Sequence, residues 1–238
     1  MQFNRNNIRL IIAVVVAVLL FSFTNIRNEK RKLTNLDIKF TDGQAPFITY
    51  PMVNKLLIQN EGSITDIAKE KLVLNTLENV LNTHKLIREA QVYITVNGRL
   101  EARINQRKPI ARIEGSSSYY LDSEGKKMPL SPVFSARVPL ITGLVNNSNI
   151  EGLYKVADYI ENDKFLKKNI IGIHAGKKDI SLRVRSYNFK IVIGKATLLE
   201  TKFRNFKAFY QKALKDKTLT NYKVVNLKFD NQVVCTKI

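Results

Sequence analysis

Gln91–Ser131 reads QVYITVNGRLEARINQRKPIARIEGSSSYYLDSEGKKMPLS. The order of its apolar residues, turns and proline decides the fold. Val92, Ile94 and Val96 alternate with Tyr93 and Thr95; Asn97-Gly98 follows, and Leu100, Ala102 and Ile104 alternate on the return. A period of two marks a strand with one buried face. Asn-Gly between two such runs predicts a two-residue hairpin turn, with positive φ at both central residues. The pattern breaks at Arg107-Lys108-Pro109, because Pro109 has no N–H for a ladder and drives Lys108 towards extended backbone. Ile110 to Ile113 resumes it, and Glu114 to Ser118 is a polar turn. Tyr119-Tyr120-Leu121 is again β, and Asp122-Ser123-Glu124-Gly125 has turn chemistry. The stretch closes one β unit, crosses a proline joint and opens a second.

Towards the N-terminus, Lys69 to Thr83 carries Leu74, Leu77 and Leu81 at helical spacing. Residues 60–68 are a polar link, Met52 to Ile58 behind Pro46 reads as a helix, and Leu36 to Phe40 alternates as a strand. The order β-α-α-β-β fits one small sheet with both helices on one face. Leu10 to Thr24, LIIAVVVAVLLFSFT, carries no charge. It is short for a span of about 20 residues, but Ile8 extends it and Arg9 can snorkel. Ser22-Phe23-Thr24 is a poor cleavage site for a signal peptide. An uncleaved anchor at 10–24 therefore follows a tail at 1–9 and precedes a charged connector at 25–32. Arg5 and Arg9 flank one side of the anchor; Arg27, Lys30, Arg31 and Lys32 flank the other. Taken literally, the positive-inside rule would keep the C-terminal bulk in the cytoplasm, but with charges on both sides the residues alone leave the orientation open.

Towards the C-terminus the pattern is mostly β. Val138 to Gly143 is a short strand or loop edge, and Ile150 to Ile160 a helix. Ile170 to Ile173, Ile180 to Val184 and Phe189 to Ile193 are strands. Leu199, Phe203, Phe206, Tyr210 and Leu214 form an apolar helical stripe, with Lys202, Arg204, Lys207, Lys212 and Lys215 largely off it. Tyr222 to Phe229 and Gln232 to Thr236 close the chain as strands joined at Asp230-Asn231.

The 238 residues carry a net charge of +19, spread along the chain. That favours anionic surroundings without choosing among them. One cysteine, Cys235, and two histidines are too few for the common protein-only zinc sites. Neither His84 nor His174 has a partner at metal-ligand spacing, and Cys235 has no base near it in sequence.

In this order and spacing the pieces resemble the FtsQ/DivIB family of bacterial cell-division proteins, in a variant similar to that of the Bacteroidota. The likeness rests on the N-terminal span and on the β-α-α-β-β unit, which is of the POTRA type. It continues through Gln106-Arg107-Lys108-Pro109-Ile110-Ala111, Tyr120 to Gly125, Val138-Pro139-Leu140-Ile141-Thr142-Gly143 and Val225 to Asn231. It implies an α+β protein: a cytoplasmic tail at 1–9, a single transmembrane helix at 10–24, a connector at 25–32, a POTRA-type domain at 33–108 and a mixed, β-rich C-terminal domain at 109–238. It implies an inner-membrane location at the division septum with the bulk periplasmic, against the local charge count. The implied role is a non-enzymatic scaffold between early and late division proteins. Its C-terminal domain would bind an FtsB-like and FtsL-like pair, and its POTRA-type domain other division proteins. No cofactor, metal, nucleic acid or small-molecule substrate is implied.

The partner-binding residues it points to are Lys228, Phe229, Asn231, Gln232, Val233 and Val234, on or beside the last strand. Gln106, Lys108 and Pro109 mark the domain joint. Two positions depart from the family: Asn226 stands where an acid is usual, and Lys228 where an arginine is usual. A lysine lacks the planar fork that grips a carboxylate at two points. The expected mode is addition of a partner strand to an exposed sheet edge along Tyr222 to Thr236, the bland alternative being an ordinary terminal strand.

Two other readings stand beside this one. A membrane-anchored periplasmic cell-wall enzyme, or a peptidoglycan-binding protein, fits the anchor. Catalysis would need a pair of acids or a nucleophile with its base, and Asp122 and Glu124 sit instead in a turn followed by Gly125 and two lysines. A membrane-tethered nucleic-acid binder would use Phe203, Phe206, Phe209 and Tyr210 between basic residues, but helical spacing assigns most of these to a core.

Overall fold

The computed structural model describes residues 5–29, 36–41, 43, 47–58, 74–115, 117–230 and 232–238. Two compact units divide the chain, Met1–Gln106 and Arg107–Ile238. The first opens with helix α1 (Arg5–Glu29), which continues past the uncharged run into the charged residues on both sides. The apolar side chains from Leu10 to Phe23 are exposed, Phe21 by 70%. Side chains of α1 are described over 9–24, roughly 24 Å of helix rise, against a hydrocarbon core of about 30 Å. Among the described residues no helix is long and apolar enough to cross a membrane.

The first unit continues with β1 (Leu36–Phe40), α2 (Tyr50–Ile58), α3 (Leu74–Thr83), β2 (Ile87–Ile94) and β3 (Leu100–Gln106), the β-α-α-β-β order that the periodicities predict. The part of the expected second helix at 69–73, the polar link at 60–68, Pro46 and the segment 30–35 lie outside the described residues. β3 is central, parallel to β1 and antiparallel to β2. Its alternate residues Leu100, Ala102 and Ile104 are fully buried, as are Val53, Leu57, Leu77 and Leu81 from the helices.

The β2–β3 turn differs from the two-residue expectation. Ile94 pairs with Leu100, and the Thr95 N–H donates to the Arg99 carbonyl. That leaves a three-residue loop, Val96-Asn97-Gly98. The Gly98 N–H bonds back to the Thr95 carbonyl, and Gly98 alone takes positive φ, +77°. This is a type I turn closed by a left-handed glycine. It lifts Val96 out of the strand and leaves it 88% exposed.

The second unit contains β4 (Pro109–Ile113), β5 (Tyr119–Asp122), β6 (Lys127–Met128), β7 (Leu140–Gly143), α4 (Ile150–Asn162), α5 (Lys164–Asn169), β8 (Ile170–Ala175), β9 (Ile180–Val184), β10 (Lys190–Gly194), α6 (Leu199–Lys215), β11 (Tyr222–Asn226) and β12 (Val234–Lys237). All nine strands join one sheet in the order β12-β11-β10-β9-β8-β7-β4-β5-β6. Its inward residues, among them Ile141, Ile173, Leu182, Ile191 and Val225, share one core with Leu153, Val156 and Ile160 of α4, Leu166 of α5, and Phe203, Phe206 and Ala213 of α6. The alternate residues His174, Arg183 and Lys190 are exposed on the opposite face.

Two of these elements, α5 and β6, are too short to announce themselves by periodicity. Asp163 starts α5, its carboxylate accepting from the Phe165 and Leu166 N–H groups. It also pairs with Lys207 of α6. The stripe on α6 ends at Ala213 and not at Leu214, which is 51% exposed. Lys202, expected off the stripe, is 7% exposed and faces inward.

The candidate partner-binding edge

Three glycine-containing turns and two buried charges, Asp122 and Lys202, fix this unit. Asp122, 2% exposed at its side chain, receives Arg107 Nη1 at 2.7 Å and the N–H groups of Glu124 and Lys126. That closes the β5–β6 turn, with Gly125 at φ +75° against the Tyr154 ring and the Tyr154 hydroxyl donating to the Ser123 carbonyl. At Gly143, φ is +92°, and a Cβ there would sit 2.3 Å from the Ala175 carbonyl oxygen. The same carbonyl accepts the Leu144 N–H, so only glycine lets β7 leave the sheet here. The Tyr120 to Gly125 and Val138 to Gly143 motifs thus have structural reasons of their own.

At the joint, Gln106 is buried and its Oε1 accepts the N–H groups of Phe47 and Ile48, which ends β3 within its own unit. Lys108 pairs with Glu161 at 2.8 Å. Pro109 begins β4 opposite Asp122, ahead of the parallel pairing with β7, which starts at Arg112. A proline is tolerated at that first position, where its missing N–H breaks no ladder.

The expected accepting edge, Tyr222 to Thr236, holds two strands, β11 and β12. β11 stops at Asn226 and has both sides taken, parallel to β10 and antiparallel to β12. The edge on this side of the sheet is therefore β12, with β6 at the opposite margin. Val234 is its first residue, 41% exposed; Val233 precedes it and packs on the core. A proline at Val233 would fall ahead of the paired residues. Lys228, Phe229 and Gln232 occupy the exposed connection between the strands. Asn231 lies outside the described residues.

This connection is braced from below. The Asn226 side-chain carbonyl accepts the Lys228 N–H at 3.0 Å, an Asx turn at the site where the resemblance expects an acid. Lys228 pairs with Asp179 at 3.1 Å, both side chains more than 40% exposed. Its aliphatic stem crosses Gly194, where φ is +68° and a Cβ would come within 2.9 Å of Lys228 Cγ. Asn205 of α6 donates to the Asp230 carbonyl. Buried Lys202 donates to the carbonyls of Ile193 and Lys195, at 2.8 and 2.9 Å. Burial pushes the Lys202 pKa down, and Asp230 partly opposes this. The sequence signal for Lys202 is its place one residue before Phe203, on the shoulder of the stripe.

Phe229 is 46% exposed and belongs to no core cluster. Cys235 is half-buried, and burial pushes its thiol pKa up, which lowers its reactivity. His84 accepts the Leu86 N–H through Nδ1, and His174 Nδ1 lies 3.1 Å from the Thr142 hydroxyl. Among the described residues no group of three His, Cys, Asp or Glu is placed to hold a metal ion.

Residues 108–236 match the family model described as FtsQ/DivIB, C-terminal related, and residues 32–105 match that of a POTRA-like domain. No curated protein matches the chain.

Proposed function

Because the chain belongs to the FtsQ/DivIB family, we propose that this cell-division protein is a non-enzymatic scaffold that holds an FtsB–FtsL-like pair by adding a partner strand to β12. The observation that carries the proposal is the β12 margin. Its outer side pairs with nothing among the described residues, and exposed Val234 and Phe229 lie at its start. Main-chain hydrogen bonds to such an edge supply affinity, and neighbouring side chains set register. Lys228, Phe229, Gln232 and Val234 are the side chains in reach of a guest strand; Asn231 joins them by its place in the sequence.

In the same proposal α1 anchors the chain in the inner membrane at the septum, with its N-terminus cytoplasmic and the bulk periplasmic. Its 25-residue length corresponds to about 37 Å, and exposed apolar side chains along such a helix call for an apolar surrounding. The POTRA-like unit serves recruitment.

The test is disulfide trapping in a Cys235→Ala background. Val234→Cys or Thr236→Cys should cross-link to a cysteine scanned along the extended periplasmic segment of the FtsB-like partner, with a period of two. Lys127→Cys, on the opposite margin, should not. Cross-links at Lys127→Cys and none at β12 would rule out edge pairing.

A further inference from the structure

The face of the nine-stranded sheet turned away from the helices carries a groove of about 490 Å³ lined by Leu140, Thr142, Gly172, His174, Arg183 and Lys190. Strand register explains its shape. Arg112 of β4 pairs with Leu140 of β7, Leu140 with Gly172 of β8, Gly172 with Arg183 of β9, and Arg183 with Lys190 of β10. These five residues form one rung across the sheet. Gly172 has no side chain, and the Arg183 side chain lies across it, its Cβ and Nε 3.4 and 3.5 Å from where a Cβ would stand.

The charges on this rung are unusual. Arg183 and Lys190 are directly opposite on neighbouring strands, an arrangement that costs stability unless an anion lies between them. Neither has a carboxylate partner among the described residues. Arg112 lies three strands from Arg183, about 14 Å at ~4.8 Å per strand. Side chains on one face of an extended peptide recur every ~6.8 Å. A peptide lying along the rung therefore places residue i at Arg183 and Lys190, residue i+2 over Leu140 and Gly172, and residue i+4 at Arg112.

We propose that this face docks an extended acidic segment of a partner protein, with the pattern acid-x-apolar-x-acid. The two acids would sit on the cations at either end and the apolar side chain against Leu140, beside Gly172. Arginine holds a carboxylate through two parallel hydrogen bonds, which suits Arg112 and Arg183. Single-stranded nucleic acid is held by a basic groove together with aromatic rings on which its bases stack, and the groove lining is without an exposed phenylalanine or tyrosine ring. Sugar rings need a similar platform, so an anionic glycan is the poorer fit. Glu114, at the rim beside Thr142, is the one acid in the lining and would keep a second row of acids out. This surface is separate from the β12 margin, so it stands or falls without strand addition there.

The experiment titrates the full chain, in detergent, with fluorescent peptides of pattern Glu-x-Leu-x-Glu and Gln-x-Leu-x-Gln. A carboxylated polysaccharide and anionic vesicles compete in parallel arms. The acid peptide should bind and the amide peptide should not. Arg183→Gln with Lys190→Gln should weaken binding about tenfold or more. Lys212→Gln with Lys215→Gln, exposed on α6 and off this face, should leave it unchanged. Equal losses in the two double variants, retention in Arg183→Gln/Lys190→Gln, or tighter binding of the polysaccharide or vesicles would each overturn the proposal. Leu140→Glu keeps the test open if the double variant unfolds: it should weaken the acid peptide alone.

Discussion

At one margin of the nine-stranded sheet lies β6, two residues long with Met128 buried; at the other lies β12, four residues long with Val234, Thr236 and Lys237 exposed. Both leave backbone donors and acceptors on an outer side. An edge invites unwanted pairing, and proteins blunt it by shortness, cover or charge. β6 is blunted by shortness and by a turn that Asp122 ties on three sides. β12 has only Lys237 near its end as a deterrent, and an exposed phenylalanine stands before its start. The difference is what favours β12 over β6 in the proposal that a partner strand adds to this sheet.

Substitutions at each margin sharpen the comparison. The largest effect belongs to the closed one. Asp122→Ala strips the partner from Arg107, whose side chain is 14% exposed, and should cost about 3 kcal/mol of stability, read by urea unfolding. Partner binding by the fraction still folded should be unchanged; a loss of binding there would tie the partner to the wrong edge. At the open margin the order reverses. Phe229→Ala should leave unfolding within about 0.5 kcal/mol of the parent yet weaken partner binding by about 2 kcal/mol. Lys228→Ala should weaken it by only ~0.2–1 kcal/mol, because Lys228 already has an exposed partner in Asp179. Titration calorimetry with the partner's periplasmic region ranks the two, and a larger loss at Lys228 would make charge, not the aromatic anchor, the main contact.

Much of this was legible in the sequence. Alternation at 92–94 and 100–104 places β2 and β3, Pro109 sits at the start of the second unit's first strand, and the spacing of Leu77 and Leu81 gives the buried face of α3. What escaped has physical causes. The hairpin turn followed the Asn-Gly signal, but Gly98 alone took the left-handed region and Val96 joined the loop. β6 and α5 are held by Asp122 and Asp163, which bond N–H groups two to four residues on and are each pinned by a distant cation, Arg107 and Lys207, that no local pattern shows. Lys202 looked solvated because sequence cannot show two carbonyls, of Ile193 and Lys195, waiting beneath the helix. The candidate edge was half legible: alternation showed that residues near Val225 and Val234 are strands, but it could not show that β10 covers the side of β11 left open by β12. That pairing is parallel and non-local, and only the strand order reveals it.

The most direct measurement is amide hydrogen exchange in the full chain, alone and with the periplasmic region of the proposed FtsB-like partner. Edge pairing predicts that outward-facing amides of Val234–Lys237 exchange fast alone and become protected in the complex, while those of Lys127 and Met128 do not change. A complex that forms and leaves the β12 amides exchanging as before would contradict strand addition.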